Sequence, residues 1–119
     1  MVKLENTNLM VTKGDTCLLR LELIDENHEV VDVSGAVGHF TVKEYLNDAS
    51  VNEKISLPFF DHPDADPVNG IVYFKILPIN TQNLQTKKYF WDIQVVRETD
   101  VYTIARGDLY IDAEIKFNT

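Results

Sequence analysis

The chain has 119 residues, 45% of them hydrophobic and 25% charged, values that exclude wholesale disorder and leave room for one core, not two. Nineteen acidic against eleven basic side chains give a formal charge of −8, which repels a phosphate backbone and argues against nucleic acid as a partner. No apolar run approaches the roughly 20 residues of a spanning helix. The opening Met1-Val2-Lys3-Leu4-Glu5-Asn6 lacks a secretory pattern, so no membrane partner is expected and folding in a cytoplasm is. The single cysteine, Cys17, forbids an intrachain disulfide and cannot build a cysteine-based metal site.

Period-two alternation dominates, as expected for strands with one face in a core and one in water. Leu9 to Thr12 predicts a short first strand, and Lys13-Gly14-Asp15 a turn. From Thr16 to Ile24, Cys17, Leu19, Leu21 and Leu23 fall on one face and Arg20 and Glu22 on the other, a half-buried strand. After the polar turn 25–28, Val30 to Val33 is either a strand or an extended loop, ended by Ser34-Gly35. His39 to Leu46 places Phe40 and Val42 against Thr41, Lys43 and Tyr45 and stops in the turn 47–50. Asn52 to Leu57 is more polar, and Pro58 confines it to an edge.

Phe59 to Asn69 holds prolines and aspartates and predicts a surface loop closed by Asn69-Gly70. Ile71 to Leu77 follows as a strand apolar on both sides, hence covered, and Pro78 ends it. Asn80 to Thr86 has the spacing of one helical turn anchored by Leu84. Lys88 to Val96 alternates Tyr89, Trp91, Ile93 and Val95 against Asp92 and Gln94 and predicts the strand at the centre of the core. Beyond the turn 97–100, Val101 to Ala105 and Leu109 to Ile115 form one long or bent strand, with Gly107 as the expected bulge.

Seven to eight short strands with almost no helix predict a single domain over residues 1–119, an immunoglobulin-like antiparallel β-sandwich without a disulfide; an open barrel is the alternative. Leu84, Tyr89 and Trp91 reproduce the helical turn, tyrosine and core residue at the start of strand F in such domains, where the tyrosine hydroxyl bonds backbone across the corner. Trp91 then stands where antibody domains place a disulfide cysteine, so an aromatic ring fills that place.

Candidate chemistry is sparse. Asp61, Asp64 and Asp66, with His62 nearby, supply hard oxygen ligands, yet lack the glycine and distal glutamate of a dedicated calcium loop, so a solvated acidic loop is the expectation. His28, His39 and His62 fall in separate segments without a neighbouring nucleophile, which predicts neither a zinc hydrolase nor a catalytic triad, and no cofactor. Cys17, on an inward strand face, is expected to be an inert small hydrophobe. Arg106-Gly107-Asp108 matches the tripeptide that integrins read, but its place inside a strand keeps it from a receptor groove. Tyr45, Tyr73, Phe90, Tyr102 and Tyr110 are expected on strand faces opposite the core, where aromatic rings could stack on sugars or anchor a protein interface.

Two blocks carry a family resemblance. Val11-Thr12-Lys13-Gly14-Asp15-Thr16 leading into Leu18 to Leu23, then Asp25-Glu26-Asn27 and Val33-Ser34-Gly35-Ala36 before Phe40-Thr41-Val42-Lys43, resembles the opening of immunoglobulin-like modules in tailed-phage virion proteins. The N-terminal domain of baseplate upper proteins is the nearest example. Tyr89-Phe90-Trp91-Asp92-Ile93-Gln94 and Tyr102-Thr103-Ile104-Ala105-Arg106-Gly107-Asp108-Leu109-Tyr110-Ile111 are similar to the closing strands of those modules. The acidic loop 59–69 has no place in that pattern. The resemblance implies a non-enzymatic structural or assembly module of a phage or prophage, located in the virion and acting on other virion or baseplate proteins or on copies of itself. The outward aromatics are then a subunit interface. A carbohydrate-binding module for host-surface glycans is the alternative.

Overall fold

The structure, a computed structural model, describes residues 4–25, 27–45 and 53–113. Seven strands run in chain order: β1 (Leu4–Thr12), β2 (Cys17–Glu22), β3 (Val37–Lys43), β4 (Glu53–Pro58), β5 (Ile71–Ile76), β6 (Lys88–Arg97) and β7 (Asp100–Asp112). They form a five-stranded sheet in the order β1-β7-β6-β3-β4 and a two-stranded sheet of β2 and β5. The fold is an all-β sandwich of two sheets with no disulfide, as its alternating segments predict. The turn expected at 47–50, the strand ends at Leu46 and Asn52, and the tail at Ile115 lie outside the described residues.

The central strand is the one the tryptophan marks. In β6, Tyr89, Trp91, Ile93 and Val95 are all buried, and β6 has β7 on one side and β3 on the other. Beside it Phe40 and Val42 of β3, and across the core Phe74 and Ile76 of β5, are buried. β4 is an edge strand and Pro58 is its last residue, which suits a residue with no N–H to give a further neighbour.

Three features depart from expectation, and one open alternative is resolved. The sheet is not wholly antiparallel, because β1 pairs with β7 in parallel. β1 feeds the opposite sheet through the turn at Gly14, so no hairpin dictates its direction. The helical turn is Pro78–Thr81, two residues early, with Pro78 in the first turn, where its missing N–H leaves no helix bond unmade. Its buried anchor is Thr81, whose Oγ1 accepts the Gly14 N–H at 2.9 Å; Leu84 packs only partly buried against the core. Segment 30–33 makes a single bridge, Ile24 to Val30, and is otherwise extended loop.

The third departure resets a face. The bulge in β7 is at Ile104, not Gly107: Ile93 pairs with Ala105 and Gln94 with Thr103, leaving Ile104 unopposed, while Gly107 pairs in register with Trp91. An unopposed residue lets two neighbours point the same way, and both Ile104 and Ala105 are buried.

The loop 59–69 is less superficial than its polarity implies. Phe59 lies against Phe74, ring centroids 5.4 Å apart, in space that Gly38 leaves open: a Cβ there would stand 2.1 Å from the Phe59 ring. Phe60 N–H donates to the Tyr73 carbonyl at 2.8 Å, and Ile71 and Asp66 exchange two backbone hydrogen bonds. The loop thus closes the outer edge of β5 before Gly70, at φ 73, turns the chain into that strand.

Candidate interaction surface

The five expected outward aromatics divide by register. Directly opposed residues of a sheet share a face, so the outer face of the large sheet is assigned from its pairings. Met10 pairs with Tyr110, Tyr110 with Lys88, and Lys43 with Phe90. Tyr45 lies two residues beyond Lys43, exposed, with Lys87 Nζ 5.8 Å from its ring centroid. Met10, Tyr110 and Phe90 therefore form a band at one end of the outer face, crossing three strands over about 10 Å at the usual strand spacing, with Tyr45 just past the last paired residue of β3. Met10 is 68% exposed and Tyr110 38%. Lysines line the band: Lys88 Nζ sits 5.1 Å from the Phe90 centroid, and Lys87 pairs with Glu44. The contact with Lys87 holds the Glu44 carboxyl below its ordinary value, against the opposing effect of desolvation.

The opposite end of the same face carries a row of valines, Val37, Val96 and Val101, paired across β3, β6 and β7. Val37 and Val101 are each 59% exposed. Between the two apolar ends lies a polar belt that includes Thr41, Asp92 and Arg106. Asp92 Oδ2 is 3.9 Å from Lys43 Nζ, while Oδ1 is buried without a hydrogen-bond partner. Desolvation pushes this carboxyl up from its ordinary value, partly offset by Lys43.

Two expected members leave the set. Tyr73 is buried, 5% exposed, because the loop lays the His62 ring on it, centroids 4.0 Å apart and 11° from parallel. Tyr102 pairs with Val95 and so stands on the inner face; the bulge at Ile104 moved it there. It edges a cavity of about 160 Å³ with Val31, Val33, Ala36, Val95 and Ile104, and its hydroxyl donates to Asp100 at 3.1 Å.

The aspartates weighed for calcium are not gathered: among the described residues no three His, Cys, Asp or Glu side chains are placed to share an ion. Asp66 accepts a hydrogen bond from Asn69 Nδ2, and the Asp64 N–H donates to His62 Nδ1. The three histidines stay apart: His28 in a turn at φ 61, His39 on β3 opposite Gln94, and His62 in the loop. Arg106-Gly107-Asp108 lies within β7. Cys17 is partly buried and its thiol is pushed up by burial and by Asp15. Among the described residues no helix is long and apolar enough to cross a membrane.

The valine row escapes sequence reading because Val37 lies ahead of the strand predicted from His39, the bulge at Ile104 turns Val101 outward, and only the strand register brings the three together. No protein-family model matches the sequence, and no curated protein is similar to it.

Proposed function

We propose that the chain is a non-enzymatic structural module that works by protein–protein contact, in the setting its end blocks resemble, the virion of a tailed phage or prophage. The observation that carries this is the outer face of the five-stranded sheet. Its two apolar ends, Met10-Tyr110-Phe90 and Val37-Val96-Val101, flank a charged belt. Aromatic and Met anchors beside polar groups are the composition of protein interfaces, and exposed apolar patches mark contact surfaces.

The test is light scattering on sized fractions of the chain, alone and mixed with the products of its neighbouring genes, using wild type and the exposed-face variants Met10→Ser and Tyr110→Ser. Assembly by wild type that both variants weaken supports the proposal. Absence of any assembly, or glycan-array binding by a monomer, overturns it, and the second outcome favours the carbohydrate-binding alternative.

A further inference from the structure

The small sheet has two edges, and among the described residues only one is closed. β5 is covered along its outer edge by Phe60 and Asp66; among the described residues no strand pairs with the outer edge of β2. Which β2 groups face outward follows from hydrogen-bond parity. Leu23 N–H donates to the Gly70 carbonyl at 2.8 Å, continuing the β2–β5 ladder in which Cys17 opposes Ile76 and Leu21 opposes Val72. In an antiparallel ladder, alternate residues bond to one neighbour, so odd residues serve β5. The N–H and C=O groups of Leu18, Arg20, Glu22 and Ile24 therefore point outward from the sheet.

We infer that this edge pairs with the same edge of a second copy, antiparallel about a two-fold axis at Leu21, so that Arg20 opposes Glu22 of the other copy and Glu22 opposes Arg20. Parity requires that even residues oppose even residues. Centring the two-fold at Arg20 would set arginine against arginine, which is destabilising, whereas centring it at Leu21 sets opposite charges directly across both times. That register also places Leu18 against Ile24 on the outer face and Leu19 against Leu23 on the inner one, apolar against apolar. In the single chain Arg20 and Glu22 already lie within reach of one another at 3.0 Å, with side chains 48% and 61% exposed; pairing across the axis uses the same charges in a second direction.

The two-stranded sheet gains most from such an addition, since two strands are marginal alone and four are not. As many as about eight backbone hydrogen bonds would form across the axis. A second copy is favoured over a foreign strand by this self-complementarity. The inference rests on the reading of the chain as a protein–protein module, but it uses a different surface from the outer face of the large sheet.

Analytical ultracentrifugation across a concentration series tests it. Wild type is expected to show a monomer–dimer equilibrium. Arg20→Glu and Glu22→Arg each put like charges opposite one another twice, and should weaken the dimer about tenfold or more. The double exchange Arg20→Glu with Glu22→Arg restores opposite charges in the Leu21-centred register, and should recover the dimer; in the Arg20-centred register it would not. On a Cys17→Ala background, Arg20→Cys mixed with Glu22→Cys should cross-link between the two variants, and neither with itself. Both positions are exposed, and circular dichroism checks that each variant is folded. A monomer at every concentration overturns the inference, as does a dimer indifferent to these charges. A dimer lost with Tyr110→Ser but not with Arg20→Glu overturns it while leaving the proposed function standing.

Discussion

Tyr89→Phe isolates one hydrogen bond at the corner where the chain enters the central strand. The Tyr89 ring is buried and its hydroxyl donates to the Gln85 carbonyl, four residues upstream, at 3.1 Å. Phenylalanine keeps the ring and its packing and removes only the donor. Gln85 is exposed, so water can take over the carbonyl, and the loss should be the net worth of one hydrogen bond, about 1 kcal/mol. For a chain of this size that lowers the unfolding midpoint by about 3–5 °C. Tyr102→Phe is the control: its hydroxyl bonds an exposed aspartate, and surface losses of this kind stay within about 0.5 kcal/mol. Tyr89→Ala sets the other bound, about 3–5 kcal/mol for an emptied aromatic site. Urea and thermal denaturation of the four proteins measure all three. Equal midpoints for the two phenylalanine variants would refute the corner as a stabilising device.

Gly70→Ala should be more destabilising than Gly35→Ala, although both glycines have positive φ, 73° and 74°. An added Cβ at Gly70 would meet the Leu23 carbonyl at 2.6 Å, while at Gly35 it meets nothing within 4 Å. The Gly35 variant should lose about 1–2 kcal/mol from backbone strain alone, and similar losses at both sites would contradict the close approach. Asp92→Asn should change the pH dependence of stability. A carboxyl raised by burial keeps its proton in the folded state when the unfolded chain has released it. Wild-type stability from this group is therefore fullest at low pH and declines as pH rises from the ordinary aspartate value of about 3.9 through the raised folded value. The stability of the asparagine variant relative to wild type should grow across that window and level off above it; a difference flat with pH would refute the buried-carboxylate account. Cys17, its thiol raised by burial and Asp15, should be alkylated more slowly in the native protein than in urea at the same pH, and equal rates would contradict its placement.

What was legible in the chain was what alternation alone decides. Tyr89-Trp91-Ile93-Val95 and Phe40-Val42 announce their buried faces without help from any distant residue. The bulge was not legible, because Tyr102-Thr103-Ile104-Ala105 is apolar enough in either phase to fit either face, and Gly107 offered a more familiar signal. The one-residue shift the bulge introduces is what turns Tyr102 inward. Tyr73 departs for a different reason: its face alternates outward, and the return of His62 covers it. The displaced helical turn did have a local sign, Pro78 at its start. Parallel pairing of β1 with β7 had none, since it joins segments about a hundred residues apart.

The aromatic side chains also explain how a sandwich with so unequal a pair of sheets holds together without a covalent tie. Trp91 and Phe40, neighbours in the large sheet, stack at 5.7 Å and 26°. Phe40 meets Phe74 of the small sheet at 5.4 Å, and Phe74 meets Phe59 of the loop at the same separation. Each such pair contributes about 0.5–1.5 kcal/mol beyond the area it buries, so the three contacts together approach the 2–4 kcal/mol typical of a disulfide. The column runs from the central strand through the small sheet into the acidic loop, which binds β5 to the core and shuts its outer edge. Among the described residues none gives β2 such cover on its outer side. The ring packing that replaces a disulfide therefore leaves one strand edge of the small sheet open, and that edge is where the Arg20 and Glu22 charges stand.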